Sequence, residues 1–216
     1  MPASLANPPL VLGSGSPRRA ALLAQLGLPF EQVISPEPES TPGDSPPGEH
    51  VVDSARAKAV AVRRLVQERH PALRFAVVIG ADTLVCVGDA PLGKPRHAEE
   101  AAAMLRVLSG RTHQVYTGVV LVGASGEQWS DCALTQVRMR TLSEADIRGY
   151  VDSREPLDKA GAYGIQGLGA RFIEHIEGCY YNVVGLPLAR LCALLERAGY
   201  DFALLHHSFQ RQGRDL

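Results

Sequence analysis

The apolar positions fall into short runs and 3.6-residue stripes that predict alternating strands and helices. Leu10-Val11-Leu12 suits a buried strand, and Ala20, Ala21, Leu22, Leu23 and Leu26 make a short helix that Gly27 can end. From Val51 to Gln67 the residues Val51, Ala55, Ala59, Val62 and Val66 share one stripe at 100° per residue, which predicts a second helix. Phe75 to Val87 reads as a central strand interrupted at Gly80-Ala81-Asp82-Thr83. Ala98, Ala101, Ala102, Leu105 and Leu108 predict the inner face of a helix from about His97 to Ser109, stopped by Gly110. Two partly alternating, β-branched runs, about Gln114 to Val122 and Ala133 to Met139, predict an antiparallel hairpin around Gly123–Gly126. Ser143 and Asp146 open a short helix with a capping-box variant. Arg171 to Ile176 and Cys179 to Val184 flank Glu177-Gly178 as a second hairpin, and a last helix runs from Pro187 to Arg197 before Gly199.

Several polar residues stand where this pattern gives no structural reason for them. In Gly13-Ser14-Gly15-Ser16-Pro17-Arg18-Arg19 a Gly/Ser loop runs into a helix, with Ser16 at the N-cap position and Pro17 at N1. Cations in a helix's first turn oppose its dipole at roughly 0.3–1 kcal/mol each. Arg18 and Arg19 are therefore either solvated surface or partners of a polyphosphate, whose charge reverses the sign. Lys58 falls on the apolar stripe between Ala55 and Val62, so its ammonium either snorkels outward or reaches a buried anion. Asp82, at the mouth of a buried strand, needs a metal, a base or a helix end to offset its desolvation. Lys94 is presented by the rigid turn Pro91–Pro95, either as a phosphate clamp or as plain surface. The segment from Asp158 to Gly169 holds four glycines and suits close backbone approach to a ligand, with Gln166 able to read a base edge as both donor and acceptor. The Pro-rich acidic stretch from Ser35 to Glu49 reads as a loop or lid whose Glu37 and Glu39 either reach a metal or only solvate it.

Composition narrows the partner. A net charge of −1 and a pI near 6.7 leave no footprint for nucleic acid or an anionic membrane, so any anion site is local and the ligand small. Four scattered cysteines without C-x-x-C spacing suit neither a zinc site nor a disulfide framework, which fits a reducing cytosol. No secretory leader and no run of about 18 apolar residues is present, so the expectation is a cytoplasmic protein. No Gly-Lys-Ser/Thr follows the first glycine loop, which excludes a P-loop.

The ordered set Gly-Ser-Pro-Arg-Arg, Ala-Asp-Thr, Gly-Lys-Pro, Leu-Ser-Gly-Arg-Thr-His, Asp-Lys-Ala-Gly-Ala-Tyr-Gly-Ile-Gln-Gly and Tyr-Asn-Val-Val-Gly-Leu-Pro resembles the Maf family of nucleoside triphosphate pyrophosphatases over about Leu10 to Glu196. The resemblance implies an inosine-triphosphatase-like α/β fold, an elongated mixed sheet with flanking helices and two lobes around a cleft. It divides the chain into an extension (1–9), a single two-lobed domain (10–199) and a tail (200–216). It implies cleavage of a nucleoside triphosphate to the monophosphate and pyrophosphate with a divalent cation, Mg or Mn, and a homodimer as the family's frequent state. Ala-Asp-Thr together with the late Gly-Ile-Gln-Gly loop looks like the branch acting on dTTP and UTP, with modified pyrimidines as a further class. The branch for 7-methyl-GTP tends to carry Ala-Asp-Gln instead. Carried over by position, Asp82 matches the proton acceptor, Arg18, Thr83 and Gln166 match base-specificity positions, and Ser14, Ser16, Arg19, Lys58 and Lys94 match the phosphate site. Glu39 aligns best with the loop carboxylate that joins Asp82 at the metal, although Glu37-Pro38-Glu39-Ser40 departs from the family's pattern. The alternatives are a nucleotide-binding regulator of septum formation without turnover and a pyrophosphatase for modified purine nucleotides.

Overall fold

Three long strands carry the fold: β3 (Val77–Val87), β5 (Thr112–Val122) and β6 (Gln128–Met139). The computed structural model describes residues 7–38 and 45–204. Around these strands lie β1 (Leu10–Leu12), α1 (Pro17–Gln25), β2 (Phe30–Gln32), α2 (Pro47–Arg69), β4 (Ala90–Leu92), α3 (Ala98–Leu108), α4 (Glu144–Asp152), β7 (Ile173–Glu177), α5 (Tyr180–Val184) and α6 (Leu188–Arg197). The strands form one mixed sheet in the order β2-β1-β3-β5-β6-β7, with β4 attached to β3. β1 runs parallel to β2 and β3, while β3, β5, β6 and β7 are successively antiparallel. This is the elongated mixed α/β sheet expected. Among the described residues no helix is long and apolar enough to cross a membrane.

β3 decides where a cleft can form. The expected break at Gly80–Thr83 does not occur, because all of these residues stay paired with β5, from Val78↔Val122 to Cys86↔Gln114. The interruption lies on the opposite edge of the same strand. There β1 pairs Val77–Ile79 and β4 pairs Val85–Val87, and among the described residues no strand pairs the edge between them. Asp82 therefore sits mid-strand beside an open edge rather than at a strand mouth.

Alternation then sorts the side chains of β3 between two faces. On one face Val78, with Val120 and Val122, packs under Ala55, Ala59, Val62 and Val66 of α2. On the other, Ile79, Ala81, Val119 and Leu121 meet α1 and α6 at one end, while Val85, Val115, Val137 and Met139 meet α3 and α4 at the other. α2 begins at Pro47, a turn before the apolar stripe, because Pro is tolerated where no intrahelical N–H is needed. At two points it lies so close to the sheet that only glycine fits beneath it. A Cβ on Gly80 would fall on the carbonyl oxygen of Ala55 and 2.7 Å from the Ala59 Cβ, and one on Gly118 would lie 2.5 Å from the Val51 backbone.

Residues 179–184 are not the strand their β-branched pair suggests. After Gly178 (φ 127°) the chain turns into the five-residue helix α5, which Gly185 closes at φ 119°. The fully buried Asn182 draws the segment inward by donating from Nδ2 to the Val115 carbonyl and the Thr135 hydroxyl, both at 2.9 Å. These tertiary bonds outweigh local strand preference.

Gly80→Ala is expected to cost about 1–3 kcal/mol by overpacking α2 against β3. Gly149→Ala, in α4 with open space around its Cβ, is expected to gain up to about 1 kcal/mol. Urea unfolding of the two variants beside the parent checks both signs.

Candidate active site

The open edge of β3 borders a pocket of about 430 Å³, within the range of small-ligand sites. Beside β3, four segments wall it: the β1–α1 loop with the start of α1, residues 34–37 after β2, the glycine-rich segment 158–166, and residues 183–185 at the end of α5. Among the described residues five cations line it, Arg18, Arg19, Lys58, Lys94 and Lys159, against three carboxylates, Glu37, Asp82 and Asp158. A chain of net charge −1 thus concentrates positive charge in one hollow, which suits a polyanion.

Lys58 resolves in favour of the buried anion. Its Nζ lies 2.5 Å from Oδ1 of Asp82, with both residues under 9% exposed. The Gly80 contact explains the meeting: the even-numbered side of β3 faces α2, so a helix pressed onto bare backbone at Gly80 brings its next inward side chains over Asp82.

On the opposite side of β3, Arg19 is held at three points. Nε donates to the Gly185 carbonyl at 2.8 Å, and Nη1 and Nη2 donate to the Ser14 and Thr83 hydroxyls at 3.1 Å each. Ser14, 8% exposed, accepts from the Ser16 amide at 3.3 Å. Ser16 has the extended N-cap conformation, but its side chain makes no capping bond. Ser16 is part of the pocket lining.

Arg18 reaches across the cleft, its Nη1 3.0 Å from Oδ2 of Asp158. Lys159 lies on the other oxygen of that carboxylate at 2.5 Å. Burial acts to raise the pKa of Asp158, but Lys159 and Arg18 outweigh it and hold the carboxyl below its ordinary value. Glu155 organises the loop behind Gln166: its carboxylate accepts from the Leu168 and Gly169 amides at 2.9 and 3.1 Å and from the Tyr150 hydroxyl at 2.9 Å. Burial opposes this charge too, yet those three donors and Lys159 leave its pKa lowered.

Ser14, Ser16, Arg18, Arg19, Lys58, Asp82, Thr83, Lys94 and Gln166, drawn from distant parts of the sequence, all line the same pocket. Glu37 joins them, while Glu39 lies outside the described residues. Sequence reasoning missed Glu155, whose only signal was an acidic residue just before the glycine segment. It also missed the Gly185 carbonyl, which no side-chain pattern can announce.

The family model for Maf-like proteins matches residues 9–198. The chain belongs to this family. Maf-like relatives cover nearly its whole length. The "dTTP/UTP pyrophosphatase" of Pelotomaculum thermopropionicum is 47% identical over 193 residues, 89% of this chain and 97% of its own. Proteins of the same name from Deinococcus radiodurans (48% identical, 92% of this chain and 97% of its own) and Salmonella typhimurium (51%, covering 86% and 91%) are similarly close. Among solved structures, a HAM1 protein from Coxiella burnetii aligns with 76% of this chain and 80% of its own at 17% identity and a TM-score of 0.45.

Tyr163, in the pocket wall, rests on the fully buried His113, with 2.7 Å between its hydroxyl and Nε2. Burial pushes the His113 pKa down to about 4. The unfolded chain, with an ordinary value near 6.5, then binds more protons between pH 6.5 and 4. The stability that neutral His113 contributes is present above pH 6.5 and is lost as pH falls through that window, about 3 kcal/mol in all. Urea midpoints across pH 4–7 should show this slope, and His113→Gln should flatten it.

Proposed function

We propose that the chain hydrolyses dTTP and UTP to the nucleoside monophosphate and pyrophosphate. The observation that carries the reading is the Lys58–Asp82 pair, buried at the open edge of β3 within a cation-lined hollow of nucleotide size. The relatives' shared name supports the choice of pyrimidine substrates.

The donor set fits a hard divalent cation. Among the described residues no three His, Cys, Asp or Glu side chains are grouped to cage a metal. Mg²⁺ does not need such a cage, since it is commonly held by one or two carboxylates together with substrate phosphates and waters. Asp82 and Glu37 are the described carboxylates suited to that role, and Glu39, outside the described residues, is a further candidate from the sequence. When bound, the cation offsets charge on the triphosphate.

Asp82 orients a water against the α-phosphorus and accepts its proton as the oxygen–phosphorus bond forms. The bond from that phosphorus to the α,β-bridging oxygen breaks, and the electron pair leaves with pyrophosphate. Arg19 binds the phosphate chain in a position that its three bonds fix before the substrate arrives, while Lys58 and Lys94 offset the charge that grows on the leaving group. Gln166 offers one amide donor and one carbonyl acceptor to the base edge, and Arg18 a further donor.

Asp82→Asn is expected to lower pyrophosphate release from dTTP by about a thousandfold or more while the circular dichroism spectrum persists, since it removes the proton acceptor. In ¹⁸O-water the wild-type protein should place the label in dTMP and not in pyrophosphate. Label in pyrophosphate would refute attack at the α-phosphorus, and tight dTTP binding without release would favour a regulator over an enzyme.

A further inference from the structure

Three threonines cross the sheet on the face away from α2: Thr83 on β3, Thr117 on β5 and Thr135 on β6. They separate the apolar core containing Ile79, Val119 and Leu121 from the one containing Val85, Val115 and Met139. Thr117 and Thr135 are fully buried, and neither lines the pocket. A buried hydroxyl is costly unless bonded, so the destinations of these bonds carry information.

Thr117 Oγ1 donates to the Asn182 carbonyl at 3.0 Å. A hydroxyl has one hydrogen. With that hydrogen spent, the 3.0 Å contact between the Thr117 and Thr83 hydroxyls has Thr83 as its donor. Thr83 in turn accepts from Nη2 of Arg19 at 3.1 Å. The bonds therefore run one way, from Arg19 through Thr83 and Thr117 to the Asn182 carbonyl, and each polarises the next. The same carbonyl accepts from the Gly185 amide at 3.0 Å, and the Gly185 carbonyl accepts from Nε of Arg19 at 2.8 Å. The chain thus closes into a ring that grips one edge of the guanidinium. Its far side is anchored to two strands by the Asn182 side chain, bonded to the Val115 carbonyl and to Thr135.

We infer that Thr117 is a positioning residue for Arg19, fixing the plane in which the guanidinium meets a phosphate although Thr117 touches no ligand. This rests on the proposed function only in taking a polyphosphate as the ligand. The ring also assigns Thr83 a direction. Its hydrogen is committed inward, so toward the pocket it is an acceptor.

The test is a set of Thr117 variants titrated by calorimetry with inorganic tripolyphosphate in magnesium buffer and assayed for dTTP hydrolysis. Thr117→Val keeps the branched shape and removes the hydroxyl. It should weaken tripolyphosphate binding and raise KM about tenfold, with kcat changed less than threefold. Thr117→Ser should restore both to within twofold of the parent. Thr117→Ala, which differs from serine only by the missing hydroxyl, should behave as Thr117→Val, so the serine–alanine pair decides the matter even if the valine variant fails to fold. In an Arg19→Ala background Thr117→Val should change tripolyphosphate affinity less than twofold, because contacting residues acting through one another are non-additive. Equal affinity of the serine and alanine variants, or a full tenfold loss persisting without Arg19, would overturn the inference. A parent protein that binds tripolyphosphate but releases no pyrophosphate from dTTP would sink the proposed activity and leave the Thr117 result readable.

Discussion

The close approach of α2 to the sheet is the constraint on which the rest depends. Gly80 and Gly118 expose bare backbone beneath Ala55, Ala59 and Val51, so the helix settles at a distance no larger residue would allow. Lys58 is thereby held against Asp82, and the cost of removing two charges from water is offset by their mutual attraction. Without that proximity the lysine would have room to turn outward, as long basic side chains on apolar stripes commonly do.

A second division crosses the other face of the sheet. The polar band of Thr83, Thr117 and Thr135 lies between two separate apolar cores, and α5 covers it with Asn182 rather than with a hydrophobic side chain. The pocket thus draws on both faces of one strand. Asp82 is supported through α2, while Thr83 supports Arg19 through the threonine band.

Much of this was legible in the chain. The stripe from Val51 to Val66 locates α2 because burial on one face imposes a 3.6-residue period, and a lysine on that stripe stands out against it. The glycine loops and the ordered motifs identified the walls of the site. What stayed hidden depends on pairing rather than on local pattern. The open edge of β3 follows from which strands flank it, and a run of apolar residues reads alike whether one edge or both are paired. α5 reads as a strand because its helical form is imposed by bonds from Asn182 to β5 and β6, far off in sequence. Thr117 and Thr135 do not stand out in the sequence because threonine is common in strands. The available clue was that both occupy the inward phase of the alternation, where valine would be expected.

The two walls of the cleft share one unbroken ladder, in which nine residues of β3, Val78 to Cys86, pair with β5 and include the pocket-lining Asp82, Thr83 and Val85. A joint of this kind has no hinge. Moving one wall against the other would require torsion of the whole paired ribbon, so large-scale opening is mechanically stiff and adjustment falls to the loops at the rim. The conformational entropy of assembling the polar groups is therefore spent when the chain folds, and a ligand meets a receptor already in shape.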